Sequence, residues 1–143
     1  MKKLLVLLSF FLLVSCFGLI DSNSERVIGN YIVVWIDLPA NQSLSEEFER
    51  GSSGSSEIVS DYVFAVGHNE DYIIAKQHPT NGSEGGFVVD TTVTNYYIVD
   101  MNRKILKKGT KVFGPLNQNQ FESLRWKLKI ESLEFDQVYP NQP

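Results

Sequence analysis

EIVSDYVFAVGHNEDYIIAKQHP, residues 57–79, is the segment that decides the fold class. Two runs rich in β-branched and aromatic residues, SDYVFAV and DYIIAKQ, flank the tetrapeptide GHNE. The flanking runs favour extended chain, whereas glycine and asparagine adopt the backbone conformations that tight turns need. The segment therefore predicts a β-hairpin.

Further strands are predicted on both sides of this hairpin. YIVVWID (31–37) and TNYYIVD (94–100) have the same β-branched and aromatic character. ILKKGTKVFG (105–114) predicts an edge strand, because lysines at an edge block pairing with another sheet. Those lysines are Lys104, Lys107, Lys108 and Lys111. SLEFDQVYP (132–140) predicts a last short strand.

Two polar segments between these strands predict loops. Residues 40–57 are rich in serine and glycine and predict a flexible loop, with a short helical turn at Leu44–Phe48. Residues 80–91 predict a second loop. Residues 16–29 predict a tether that precedes the folded part of the chain.

One helix is predicted near the C-terminus. Asn117 and Gln120 have the spacing of a capping box, and Leu116 and Phe121 that of a hydrophobic staple. Three apolar side chains then share one helix face: Phe121, Leu124 and Leu128. The predicted fold class is α+β, an antiparallel β-sheet of about five to seven strands with one C-terminal helix packed on it.

The charge distribution restricts the classes of partner. The chain has 143 residues and a net charge of −4. Residues 16–100 carry 13 acidic and 3 basic side chains, whereas residues 101–143 carry 4 acidic and 8 basic side chains. Because phosphate binding needs a sustained basic surface, we expect no nucleic acid partner. The single cysteine excludes an internal disulfide and every CxxC motif.

The N-terminus has the layout of an export signal. Two lysines precede an apolar segment of eleven residues, Leu4–Val14. The tetrapeptide Leu13-Val14-Ser15-Cys16 resembles the bacterial lipobox. By that resemblance residues 1–15 are a lipoprotein signal peptide, and Cys16 becomes the first mature residue and carries fatty acyl chains such as palmitate. A transmembrane helix over Leu4–Ile20 and a signal peptide without lipidation are the alternatives. Residues 30–143 then form a single α+β domain.

No motif in the sequence indicates catalysis. His68 and His78 lie ten residues apart, up to about 33 Å along the hairpin, too far to share a metal ion there. GSSGSS (51–56) has serine at position 55, where a nucleophile elbow requires glycine. Four carboxylates lie at predicted strand ends or loops, and nothing pairs them: Asp37, Asp61, Asp90 and Asp100. We expect no metal, no cofactor and no catalytic residue.

The helix also carries apolar residues on a second face. Trp126 and Ile130 lie nearly opposite the Phe121 face when each residue turns by about 100°. One interpretation is that three residues of the following segment fold back over Trp126: Leu133, Phe135 and Val138. The other is an exposed surface for an envelope protein partner, formed by Trp126, Ile130, Arg125, Lys127 and Lys129.

Part of the chain resembles a known family. The resemblance is carried by YIIAKQ (72–77), YYIVD (96–100) and GPLNQNQF (114–121). It is to a family of small bacterial exported proteins that share a domain of unknown function. The resemblance spans Tyr31–Ile130. It implies no activity, cofactor or catalytic residue.

These observations predict a cell-envelope lipoprotein anchored through Cys16, whose mature domain is a non-catalytic binding or structural module. It would lie at the cell membrane or outer membrane, facing outside the cytoplasm. Two alternatives are an inhibitor or immunity-type protein that binds one partner, and an envelope hydrolase that uses loop carboxylates. A hydrolase requires a cleft in which two carboxylates lie close together, and an inhibitor requires a contiguous apolar patch.

Overall fold

The computed structural model describes residues 22–36, 38–60, 62–83, 86–102 and 111–139. In these ranges the chain forms eleven strands and one helix. The strands are β1 (Ser22–Ile28), β2 (Tyr31–Ile36), β3 (Leu38–Glu47), β4 (Ser55–Val59), β5 (Tyr62–His68), β6 (Tyr72–His78), β7 (Thr80–Ser83), β8 (Gly86–Val89), β9 (Asn95–Asp100), β10 (Lys111–Leu116) and β11 (Gln137–Val138). The helix is α1 (Gln118–Leu128).

The described strands form three antiparallel sheets. A four-stranded sheet has the order β1-β2-β3-β4, and a five-stranded sheet has the order β10-β9-β6-β5-β11. β7 and β8 pair with each other as a separate hairpin. Because α1 packs on β9 and β10, the α+β fold class is confirmed. The described strands form three sheets, whereas the sequence predicts one, and five strands add to those that it predicts: β1, β3, β4, β7 and β8.

The five-stranded sheet is covered on both faces. Its adjacent residues Ile73 and Ile74 are both fully buried but belong to different clusters, because successive strand side chains point to opposite faces. The larger cluster joins the two main sheets and buries Val27, Tyr31, Val33, Leu44, Val59, Val63, Val66, Ile73, Ala75, Val99 and Tyr139. The smaller cluster lies under α1 and buries Ile74, Ile98, Phe121 and Ile130.

The prediction of a flexible loop over residues 40–57 is wrong for most of that range. β3 and β4 occupy much of it, and the predicted helical turn at Leu44–Phe48 is strand up to Glu47. Leu44 pairs with Val33 on one side and Val59 on the other, and all three are buried in the larger cluster. Packing of this central leucine outweighs the polar composition of its neighbours. The loop is confined to the turn between β3 and β4.

Two other polar segments also form strands. The predicted loop at residues 80–91 contains β7 and β8. The last part of the predicted tether is β1, which pairs with β2 from Ser22 opposite Ile36 to Ile28 opposite Tyr31. β1 is an edge strand, and its polar side chains are those that edge strands tolerate. The folded part therefore includes Ser22–Ile28 and not only the residues from 30 onward.

The strands predicted around the central hairpin are confirmed. β5 and β6 form that hairpin, and β10 is an edge strand that carries Lys111. The structure places Tyr62 opposite His78, with a bulge between Val63 and Ala65. Asp61, one of the four carboxylates at predicted strand ends or loops, lies outside the described residues. The other three lysines of the predicted edge strand also lie outside them.

The capping box of α1 is confirmed. The Asn117 side chain accepts a hydrogen bond from the Gln120 N–H at 2.9 Å, and the Gln120 side chain accepts one from the Asn117 N–H at 3.0 Å. Phe121 is fully buried, and Leu124 and Leu128 pack beside it. The helix ends before Lys129, which has the left-handed φ of 58°.

The segment after α1 returns across the five-stranded sheet. A Cβ atom at Gly67 would lie 1.8 Å from the Glu134 carbonyl oxygen, so only glycine allows this close crossing. β11 then pairs with β5, and the Tyr139 N–H donates to the Phe64 carbonyl oxygen at 2.8 Å. The Tyr139 side chain enters the larger cluster. The last strand predicted by the sequence is therefore present, as the two residues of β11.

Candidate functional site

The structure separates the residues of the predicted partner surface. Trp126 is 72% exposed, whereas Ile130 is 4% exposed and belongs to the smaller cluster. The separation follows from Lys129, because its left-handed backbone ends the helical rotation and directs Ile130 back toward Phe121. Ile130 is therefore a core residue, and the prediction that it shares a surface with Trp126 is wrong.

Arg125 holds the segment that follows the helix. Its guanidinium donates to the carbonyl oxygens of Glu131 and Leu133, the second at 2.6 Å. It also pairs with Glu122 at 3.2 Å, and its side chain is only 11% exposed. A guanidinium with these partners stabilises the turn after α1, so Arg125 is not a free group on a partner surface.

Of the five residues of the predicted partner surface, three remain exposed: Trp126, Lys127 and Lys129. We call them the helix-end surface. Leu133 and Phe135 pack into the smaller cluster, and Val138 is largely exposed. The interpretation in which these three residues cover Trp126 is therefore wrong.

A second candidate site is a cleft on the outer face of the four-stranded sheet. Its volume is about 400 Å³, and it is lined by Val34, Ile36, Asn41, Ser43 and Glu57. The register places these residues on one face, because Val34 pairs with Ser43, and Glu57 pairs with Ser45, two residues further along β3. This volume is within the range of pockets that bind small molecules.

Two polar side chains of this cleft make hydrogen bonds within the sheet. The Asn41 side-chain amide donates to the Ile36 carbonyl oxygen at 2.9 Å, and the Ser43 hydroxyl lies 3.2 Å from that of Ser45. Among the described lining residues, Glu57 supplies one carboxylate. The cleft therefore offers apolar contact and hydrogen bonding, but these residues do not form the pair of carboxylates that a glycosidase mechanism uses.

A family match covers nearly all of this architecture. The family is described as "Protein of unknown function (DUF3997)", and its model matches residues 20–139. The chain belongs to this family. No curated protein and no solved structure matches the chain.

The family domain is longer than the resemblance seen in the sequence. It includes β1 before Tyr31, and it continues past Ile130 through β11 to Tyr139. Both cores and both candidate surfaces therefore lie inside the family domain. Cys16 precedes the matched region by four residues and lies outside the described residues. In the described ranges, no helix is long and apolar enough to cross a membrane.

Each of the two histidines has its own local environment, and the two do not form a shared site. His78 stacks on Phe64 with ring centroids 4.2 Å apart, and its Nδ1 atom donates to the Val93 carbonyl oxygen at 2.7 Å. His68 pairs with Ile73 next to the turn of the same hairpin, and its buried Nδ1 atom has no hydrogen-bond partner among the residues that the structure describes. Among the described residues, no group of three or more metal-binding side chains comes together.

Two acidic side chains have lowered pKa values for structural reasons. The Gly51 N–H and the Arg26 guanidinium hold the pKa of Glu47 below its usual value. The Thr92 hydroxyl and N–H hold the pKa of Asp90 below its usual value. Asp100 accepts a hydrogen bond from the Asn102 N–H at 3.1 Å. These three carboxylates support loops or turns and do not line the cleft. Asp37, like Asp61, lies outside the described residues.

Proposed function

We propose that the protein is a lipid-anchored binding module of the bacterial cell envelope. Cys16 carries the lipid, and the domain that begins near Ser22 faces outside the cytoplasm. The observation that carries this proposal is the position of Cys16. It ends an apolar segment with a lipobox-like tetrapeptide, and it precedes β1 by only six residues. A lipid at this position would hold the domain directly at a membrane surface.

The cleft on the four-stranded sheet supports a binding role for the mature domain. It combines two aliphatic side chains with an amide, a hydroxyl and a carboxylate. Pockets for small molecules have this mixture, in which apolar walls supply contact area and a few polar groups fix orientation. The proposed module therefore binds its ligand without chemical conversion.

The anchor is tested by the mass of the N-terminal peptide of protein extracted from a native bacterial membrane. A mature peptide that starts at Cys16 with a diacylglyceryl group, with or without a third acyl chain, is the expected result. The control is Cys16→Ser, which should remain unprocessed and lose the lipid mass. An unmodified peptide that begins after residue 16 would indicate a freely secreted domain, and an intact Met1 would indicate a membrane helix.

A further inference from the structure

We propose that the helix-end surface contacts the headgroup region of an anionic lipid bilayer when the protein is anchored. The contact is made by the Trp126 indole and by the ammonium groups of Lys127 and Lys129. This inference rests on the proposed lipid anchor at Cys16, and it adds a second, non-covalent attachment to the same membrane.

The chemistry of the three side chains fits the membrane interface. Trp126 is 72% exposed at a helix end, although tryptophan is a costly residue to leave in water. Tryptophan is enriched at membrane–water interfaces, where its ring contacts acyl chains and its N–H meets the headgroups. Lys127 and Lys129 are also exposed, and an anionic membrane attracts basic residues near its surface.

A second exposed aromatic residue shows what distinguishes this surface. Phe48 is 71% exposed, nearly the same as Trp126. Its neighbours in the chain are Glu46, Glu47 and Glu49, so an anionic surface would repel that region. Exposure is therefore nearly equal at the two sites. The net charge is −2 over residues 46–50, which include Arg50, and +1 over residues 122–131, where Glu122 and Glu131 partly offset the basic side chains.

The length of chain before the domain keeps this surface close to the bilayer. Ser22 lies six positions after Cys16, and a chain of six residue steps spans at most about 20 Å. The five-stranded sheet lies between α1 and the four-stranded sheet that contains β1. At ordinary layer spacings α1 and β1 are therefore about 20 Å apart. The anchor and the helix-end surface can both reach the membrane when the layers stand side by side on it.

The test uses the mature protein, extracted from membranes and reconstituted in vesicles that contain phosphatidylglycerol and lipids with brominated acyl chains. Trp35→Phe leaves Trp126 as the single tryptophan, because the chain has two. Bromine quenches tryptophan emission at short range, so we expect at least twofold quenching. Trp126→Phe, which retains the half-buried Trp35, is the matched control and should show little quenching.

Two further variants test the role of charge. In the Trp35→Phe background, Lys127→Glu with Lys129→Glu should remove at least half of the quenching. Phe48→Ala in the same background should leave it unchanged. Replacement of phosphatidylglycerol by phosphatidylcholine should reduce the quenching of Trp126 as strongly as the lysine changes do.

The outcomes separate this inference from the proposed anchor. The mass of the N-terminal peptide is measured on the same vesicle sample. An acylated Cys16 with unquenched Trp126 overturns the bilayer contact, leaves the anchor intact, and directs attention to a protein partner for the helix-end surface. A Cys16 peptide without lipid overturns both proposals.

Discussion

The two faces of the five-stranded sheet are covered in different ways. On one face the four-stranded sheet contributes to a cluster of eleven buried residues. On the other face α1 covers a cluster of four buried residues, surrounded by eight half-buried side chains. Two sheets meet over a broad area, whereas a helix meets a sheet along one narrow line of side chains.

This difference shows where the stability of each face resides. The larger cluster distributes burial over strands from both sheets, so each side chain supports several elements. In the smaller cluster Phe121 is the one fully buried side chain of α1. The rest of that face is closed by the segment after the helix, which Arg125 holds in place. We expect the helix face to open locally and the sheet–sheet face to open only with global unfolding.

The largest effect is expected from Phe121→Ala. Loss of this buried ring should lower the free energy of unfolding by about 4 kcal/mol. Amide hydrogen exchange should accelerate in α1 more than in β2 and β5. Phe121→Leu retains most of the volume and should cost much less. Equal loss of protection in the helix and in both sheets would contradict the local opening of the helix face.

Leu44→Ala tests the opposite face. This leucine pairs with Val33 and Val59 in the larger cluster, so we expect a loss of about 3 kcal/mol by urea unfolding. Hydrogen exchange should accelerate throughout both main sheets. The matched comparison is Val88→Ala, a truncation at an exposed position, which should cost little stability. Acceleration restricted to β3 would show that this face also opens locally.

Arg125→Met removes the guanidinium and retains most of the aliphatic length. The carbonyl oxygens of Glu131 and Leu133 lose a charged donor, which should cost about 2 kcal/mol in urea unfolding. Lys127→Met changes the same charge at an exposed position and should stay within about 0.5 kcal/mol of the wild type. Equal costs for the two variants would mean that Arg125 does not hold the segment after the helix.

The smallest effect concerns pH and the four-stranded sheet. Glu47 has a folded-state pKa below its ordinary value of 4.5. Its contribution to stability is therefore complete above that value and is lost as pH falls through the lower, folded-state pKa. Urea unfolding between pH 6 and about pH 3 should show a steeper loss for the wild type than for Glu47→Gln. Glu49→Gln controls for the change in net charge, and parallel curves for wild type and Glu47→Gln would contradict the assignment.

Local signals explain which elements could be predicted. The capping box at Asn117 and Gln120 and the turn after His68 depend on residues that are neighbours in sequence. β3 could not be predicted, because Leu44 is stabilised by Val33 and Val59, which are distant in the chain. β1 could not be predicted either, because an edge strand tolerates polar residues and its sequence therefore lacks a strand pattern.

In the candidate sites, too, local features could be predicted from the sequence, whereas features that depend on the backbone path or on distant residues could not. The exposed Trp126 could be nominated from the helical rotation alone, but the burial of Ile130 depends on the left-handed backbone of Lys129. The cleft needs the register that brings Val34, Ser43 and Glu57 to one face. The sequence signal for the cleft is that β2 is apolar on both faces. Tyr31 and Val33 belong to the larger cluster, whereas Val34 and Ile36 line the cleft.

The pairing of β11 with β5 has a consequence for the assembly of the chain. Gln137 pairs with Val66, and Tyr139 fills a place in the larger cluster beside strands made far earlier. The edge of β5 therefore stays open until residue 139 has been synthesised, and the larger cluster is incomplete while only the earlier strands exist.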